Sequence, residues 1–378
     1  MSGRTSIPVR RSTARQRTTH RPPEMAAGAA DVRPTPSMRW RFLMDRMSGP
    51  LFAVLVFLTG WADPTAAAAR DLRAAVFVSE RVVHVRDVLV PWIARLNEAL
   101  AGEARIRLYS GGALGRDGEM QWYHLRRGVS DITWIPAGYE AGRFPSTEIL
   151  ELPVLSDDPV RLTRAAWRLH AAGQLPDFGG TEILALSVSP AYGLHLAFPV
   201  ANIDDLKGAK IRVVNHAQAD LVAALGAVPV AGIGANALAE SMGRGLVDGA
   251  LFGWHAIRAT GVERVSRAHV ILPAGFALSV IAMNGDSYAA LPPDARAVIR
   301  RESGEALSLA FTRRLVEEAA AAQARVAAEG HGIYRASPGE LARIRDLYAA
   351  FAAAWRARSP RHAALYDALA AVLEKEKP

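Results

Sequence analysis

The sequence predicts an α/β protein of two domains with largely parallel sheets. Three observations carry that prediction. Short β-branched runs alternate with stretches of helical apolar spacing along most of the chain. The length, 378 residues, suffices for two domains. Half of the residues are hydrophobic while only 22% are charged, which is enough apolar material for packed cores. The absence of cysteine excludes disulfides, thiolate metal sites and a cysteine nucleophile, and is compatible with an oxidising compartment without requiring one.

The formal charge of +8 invites a nucleic-acid reading, but its distribution argues against one. Residues 1–46 hold ten arginines against Glu24, Asp31 and Asp45, a net of +7, so the rest of the chain is close to neutral. That is no footprint for a phosphate backbone, and no nucleic-acid partner is expected.

Residues 1–37, rich in Arg, Thr, Pro and Ser, cannot form a core and are expected to be disordered. Arg39, Arg41 and Arg46 then precede an apolar run at 51–58, and four alanines follow at 66–69. These are the charged, apolar and cleavage regions of a secretory signal ending near Ala69. The apolar run falls short of the roughly 20 residues that a spanning helix needs. An uncleaved anchor or a buried core helix is the alternative reading. Signal peptides begin close to their charged region, so Met38, Met44 and Met47 are alternative translation starts to Met1. Arg10-Arg11 lies too far from the run to act as a twin-arginine signal.

From Arg70 the elements alternate. A strand over 72–78 is followed by a helix through Val88, Trp92, Ile93 and Leu96, then by a strand at 106–109. Gly111, Gly112 and Gly115 form a loop without the GxGxxG spacing of a dinucleotide site. A third strand is expected at 131–135, a helix at 160–170, and strands at 182–189 and 194–198. Residues 204–208 are turn formers, 211–214 is β-branched except for Arg212, and 218–225 has helical spacing. A guanidinium inside an apolar strand either faces solvent on an edge strand or meets an anion, and its planar fork suits a carboxylate. Strands at 270–272 and 279–283 lead into one long helix over 292–329, with Gly304 the place for a bend.

The run from 206 to 249 resembles the solute-binding proteins of tripartite ATP-independent periplasmic (TRAP) transporters, the DctP family. Residues 206–213 stand for that family's LKGxKIRV strand, 225–230 for its LGAxPV turn and 245–249 for its GxVDG strand. Upstream, 109–115, 127–131 and Leu152-Pro153 stand in order for its YPxxxLG, GxxD and LPF marks. The resemblance covers residue 72 to the C-terminus. It implies a two-lobed periplasmic-binding-protein fold with a ligand cleft between the lobes and a long C-terminal helix packing along both. The lobes are expected at 70–189 with 278–317, and at 190–277 with 318–378. It further implies a monomeric periplasmic protein that captures a small organic acid and delivers it to the small and large membrane subunits of a permease driven by an ion gradient.

By the same resemblance, Arg212 takes the place of the arginine that pairs with the ligand carboxylate. Where sialic-acid-type members carry a second arginine this chain has Tyr192, and where they carry an asparagine it has Phe252, with Trp254 close by. The family's glutamate- and tyrosine-bearing helix is reduced to small residues around Asn236 and Glu240. Phe77 and Trp134 are expected to face the cleft from the other lobe. Aromatics are common in cores as well as pockets, and core packing is the plainer reading of each. Together they favour a monocarboxylate with an apolar or aromatic body over a dicarboxylate. No HExxH, P-loop or GxSxG motif occurs, and His84, His195, His216, His255 and His269 lack ligand spacing. No enzyme, cofactor or metal is therefore expected. A receptor's ligand-sensing subunit and a secreted enzyme are the rival classes. N-terminal sequencing of the exported protein should find a start at about residues 67–71; an intact leader on the mature protein would overturn the signal reading.

Overall fold

A computed structural model describes residues 70–140 and 142–376. The leader and its cleavage site lie outside the described residues. Eleven strands are present among them: β1 (Arg70–Ala75), β2 (Ala104–Tyr109), β3 (Ile132–Pro136), β4 (Thr181–Val188), β5 (Gly193–Leu196), β6 (Lys210–Arg212), β7 (Val228–Val230), β8 (Gly249–Phe252), β9 (Ala268–Ile271), β10 (Leu278–Asn284) and β11 (Gly332–Arg335). They form two sheets, ordered β2-β1-β3-β10-β4 and β11-β9-β5-β8-β6-β7. The two-lobed α/β architecture expected from the sequence is the one observed.

Each sheet is parallel except for one strand. β10 runs antiparallel to β3 and β4, and β5 runs antiparallel to β8 and β9. These two are the strands that cross from the opposite sheet with no helix in between, β5 directly after β4 and β10 directly after β9. A strand entering from the neighbouring lobe starts at the edge where its hosts end, so it must run against them. The carboxyl ends of the parallel strands therefore face the space between the sheets, the usual ligand side of an α/β sheet.

The helix predicted over 292–329 is two helices, Pro293–Arg301 and Glu305–Ala328, broken at Gly304. Gly304 has φ +82°, its N–H donates to the Leu184 carbonyl at 2.7 Å, and the Trp167 ring fills the space a Cβ would need. The second helix, about 36 Å long at 1.5 Å per residue, joins two cores. Leu307, Phe311 and Leu315 pack with the first sheet's cluster, while Ala319, Ala322 and Val326 pack with the second's.

β4 is an edge strand, and side-chain hydroxyls satisfy its outer rim. The Leu186 N–H donates to Ser308 Oγ at 3.0 Å and the Val188 N–H to Thr163 Oγ1 at 2.9 Å. Thr312 Oγ1 donates to the Val188 carbonyl at 3.1 Å and lies 2.7 Å from Thr163 Oγ1 and 2.8 Å from Ser187 Oγ. Two further helices, Pro338–Ala357 and Pro360–Lys375, end the described chain. The last, expected with the second lobe, packs both on Pro338–Ala357 and on Pro159–Ala171 beside the first sheet. Arg161 donates to the Leu373 carbonyl at 2.7 Å, Arg168 pairs with Glu376 at 2.6 Å, and the stripe Leu365, Leu369 and Leu373 finds its apolar partners there.

Thr312→Val keeps the shape of the side chain and leaves buried polar partners unpaired. It should lower unfolding stability by about 1–3 kcal/mol in chemical denaturation; no measurable loss would show that the hydroxyl cluster is incidental.

Candidate ligand cleft between the lobes

A cavity of about 40 Å³ lies between the two sheets. Its first wall comes from the sheet containing β1 and β3. Phe77 follows β1 and stacks on Trp134 of β3, with ring centroids 5.1 Å apart and planes 11° apart. Tyr139 stands 6.2 Å from Phe77 on one side, and His84 stands 4.4 Å from Trp134 on the other. His84 directly precedes a single π-helical turn, Val85–Leu89, that leads into the helix Val90–Ala99. The second wall carries Phe252 at the end of β8, His255 just beyond it, and Tyr192 in the crossing from β4 to β5. Burial pushes the Tyr192 hydroxyl well above the usual tyrosine range.

Arg212 ends β6 and is fully buried, with its guanidinium behind the Tyr139 and Phe252 rings at 5.4 and 5.6 Å from their centroids. Its Nε donates to the Ile233 carbonyl at 2.9 Å, Nη1 to the Leu251 carbonyl at 3.5 Å, and Nη2 to the Tyr139 hydroxyl at 3.2 Å. All three partners are neutral, and among the described residues no Asp or Glu forms an ion pair with it. A guanidinium has five N–H donors, so this cation is enclosed with donors to spare.

Several hydrogen bonds cross between the lobes, three of them beside this cavity or a second, larger one. These three are Arg212 to Tyr139, Asn236 Nδ2 to the Phe77 carbonyl at 3.1 Å, and Asn215 Nδ2 to Glu151 Oε2 at 3.1 Å. The cleft is thus closed in this structure. Of the six residues singled out in the sequence, Phe77, Trp134, Tyr192 and Phe252 line the cavity and Arg212 backs it. Trp254 does not line it. Its ring packs over Gly193 and against His195 and His269, at 4.7 and 5.1 Å.

Those histidines, scattered in sequence, form a row with His331. His195 Nδ1 lies 2.8 Å from His269 Nδ1, and His269 Nε2 lies 3.0 Å from His331 Nδ1. His195 Nε2 faces the Phe252 carbonyl at 3.1 Å and must donate to it, so the donors run from His331 through His269 to His195. Burial holds His195 down at about 3 and His269 at about 4, so both are neutral near pH 7.

A larger cavity of about 170 Å³ lies among Gly138, Glu140, Glu151, Asn215 and the helix Pro338–Ala357. Arg358 on its wall is already paired with Glu148. Its interest is Glu151, which ties together three segments. Oε1 accepts from the Leu278 N–H at 3.0 Å, Oε2 from Asn215, and its own carbonyl from the Phe276 N–H at 2.8 Å. Tyr139 and Glu151 were not singled out in the sequence and His84 and His255 were named there only as lacking metal-ligand spacing, since all four lie on loops and turns where periodicity carries no signal.

Lobes that close over a small cavity are the architecture of solute-binding proteins, and that is the class this fold defines. The family follows from a sequence profile matching residues 75–358, and the chain belongs to DctP, the bacterial extracellular solute-binding proteins of family 7. The resemblance read from the motifs is thereby confirmed. A TRAP solute-binding protein of Rhodoferax ferrireducens, solved with copurified benzoate, is 27% identical with a TM-score of 0.75, covering 81% of this chain and 98% of its own. One from Bordetella bronchiseptica, solved with both enantiomers of mandelate, is 23% identical with a TM-score of 0.73, covering 81% and 99%. The outer membrane transporter protein TsaT of Comamonas testosteroni is 25% identical over 228 residues, which is 58% of this chain and 66%, just under two thirds, of TsaT.

Glu151 generates a pH prediction. Burial raises its carboxyl to about 7, above 4.5 for a free glutamate, so the folded state holds the proton more tightly. The stability this contributes is present below about pH 4.5 and is lost as pH rises through 7, on the order of 3 kcal/mol. Glu140, likewise raised to about 7 by burial, acts in the same direction, and the buried neutral histidines act in the opposite one. A differential measurement isolates Glu151: relative to wild type, Glu151→Gln should gain stability between pH 5 and pH 8. An unchanged difference in urea denaturation at the two pH values would refute the burial of a neutral Glu151.

Proposed function

We propose that this protein captures a monocarboxylate with an aromatic or apolar body between its lobes, and hands it to the small and large membrane subunits of a TRAP permease. The observation that carries this reading is Arg212, a fully buried guanidinium with neutral partners only, set beside a cavity walled by Phe77, Trp134, Tyr139 and Phe252. A buried cation without an anion is costly, and a carboxylate meeting its planar fork removes that cost. The Tyr139 hydroxyl reaches Arg212 from the opposite lobe and so marks the line along which a carboxylate between the lobes would meet the guanidinium. The aromatic acids held by the Rhodoferax and Bordetella proteins support the same class of ligand.

The lobes of this reading are 70–189 with 278–317, and 190–277 with 318–359; the final helix packs against both. A ligand touching both walls binds the closed form better and shifts the population by that difference in affinity. The protein acts by binding rather than turnover, as a monomer in the periplasm, after removal of a signal ending near Ala69.

Titration calorimetry with benzoate, mandelate and longer phenyl-substituted acids tests the anchor. Arg212→Ala should raise the dissociation constant roughly 30-fold to several thousand-fold, the usual effect of deleting one partner of a buried charge pair. Arg212→Lys should remain impaired by at least about tenfold, since it keeps the charge and loses the fork. Circular dichroism controls for folding. Binding by folded Arg212→Ala within a few-fold of wild type would place the anchor elsewhere.

A further inference from the structure

The cavity contains polar groups that the carboxylate anchor does not use. Arg212, Tyr139, Phe77, Trp134 and His84 form a row in which each ring contacts the next, so Arg212 stands at one end and His84 at the other. At the far end the polar atoms are orphaned. Both ring nitrogens of His84, Nε1 of Trp134 and Nδ1 of His255 are buried without a hydrogen-bond partner, and all three side chains line the cavity. His84 is 2% exposed and Trp134 is 8% exposed, so bulk solvent does not serve them. Buried donors and acceptors are nearly always paired, and this concentration of exceptions at one end of a ligand cavity calls for a partner.

The chemistry of the atoms narrows what that partner is. Burial, with His255 6.3 Å away, holds His84 well below the ordinary histidine range, so at neutral pH its ring offers one N–H and one lone pair. Trp134 offers an N–H alone. A second carboxylate would bring a charge to neutral partners in a buried place, and a hydrocarbon edge would leave every one of these atoms unpaired. A carbonyl oxygen accepts but cannot donate to the imidazole lone pair. A hydroxyl does both.

We propose that His84, Trp134 and His255 form a hydroxyl-recognising subsite, and that the ligand is a hydroxylated aromatic monocarboxylate whose hydroxyl lies at the end of the ring remote from the carboxylate. The proposal rests on the monocarboxylate reading above and adds a demand on the body of the ligand. No bond is made or broken; the hydroxyl accepts from Trp134 Nε1–H and donates to an imidazole nitrogen.

The test is calorimetry on the full mature chain with three pairs of probes: benzoate, phenylacetate and 3-phenylpropionate, each against its ring-hydroxylated counterparts. Wild type should bind the best hydroxylated acid about tenfold or more tighter than its unsubstituted partner. That ratio should fall at least about fivefold in Trp134→Phe, which keeps the ring and deletes the N–H, and in His84→Leu. The wild-type ratio stands by itself if either variant fails to fold. Tighter or equal binding of the unsubstituted acids would overturn the subsite and leave the carboxylate anchor intact, with water as the partner of the orphaned atoms. Failure of wild type to bind any of these acids would overturn both readings, and loss of all binding in Arg212→Ala beside a retained ratio in Trp134→Phe would overturn the subsite alone.

Discussion

A guanidinium enclosed among neutral groups constrains everything built around it. Removing an ion from water costs several kcal/mol even after relaxation, so Arg212 must be held by every dipole within reach. Two backbone carbonyls supply most of that, Leu251 from β8 and Ile233 from the segment after β7. Their positions fit the sheet order. β6 lies between β8 and β7, and only a strand in that central place can send one side chain toward carbonyls on both flanks. The faces of Tyr139 and Phe252 complete the enclosure with cation–π contacts, the first drawn from the opposite lobe. The charge is therefore best satisfied when the lobes meet, which couples the electrostatics of one side chain to the closure of the whole molecule.

The crossings between sheets serve the same end. Because β5 and β10 run against their neighbours, both crossings pass the carboxyl ends of the parallel strands, and Ser189, Tyr192 and Ala277 from these crossings border the cavity. Glu151 then gathers Leu278, Phe276 and Asn215 into one knot of hydrogen bonds beside the crossings. A single buried carboxyl thus ties a segment of one lobe to the crossing and to the other lobe, outside the cavity where the ligand is proposed to sit.

Much of this was legible in the sequence, and the exceptions are physical. Arg212 announced itself as the lone charge in an apolar strand, and Gly304 as the weak point of a long helical pattern, because both are local departures from a period. The break at Gly304 was legible as a bend only; the helix ends there because the Leu184 carbonyl captures the glycine N–H. Trp254 lies away from the cavity for a related reason. Two residues beyond Phe252 it would share that residue's face if β8 continued, but β8 ends at Phe252 and a 3₁₀ turn begins at Trp254. His84, Tyr139 and His255 belong to turns, where neighbours in space are not related by any spacing in sequence. That the last helix also packs on Pro159–Ala171 was not legible, because an apolar stripe shows that a face is buried without showing against what.

The helix Glu305–Ala328 has one further consequence. Near one end Ser308 and Thr312 are bonded to β4 of the first sheet, and near the other Arg325 grips Glu263 of the second lobe at 2.8 Å through a largely buried bidentate pair. The span between Thr312 and Arg325 is about 20 Å at 1.5 Å per residue. A rod fastened at both ends in this way resists sliding of one lobe past the other, since helical hydrogen bonds do not stretch, but it yields to flexing and to twist about its own axis. Movement of the two lobes is thereby restricted toward bending about the helix rather than sliding along it.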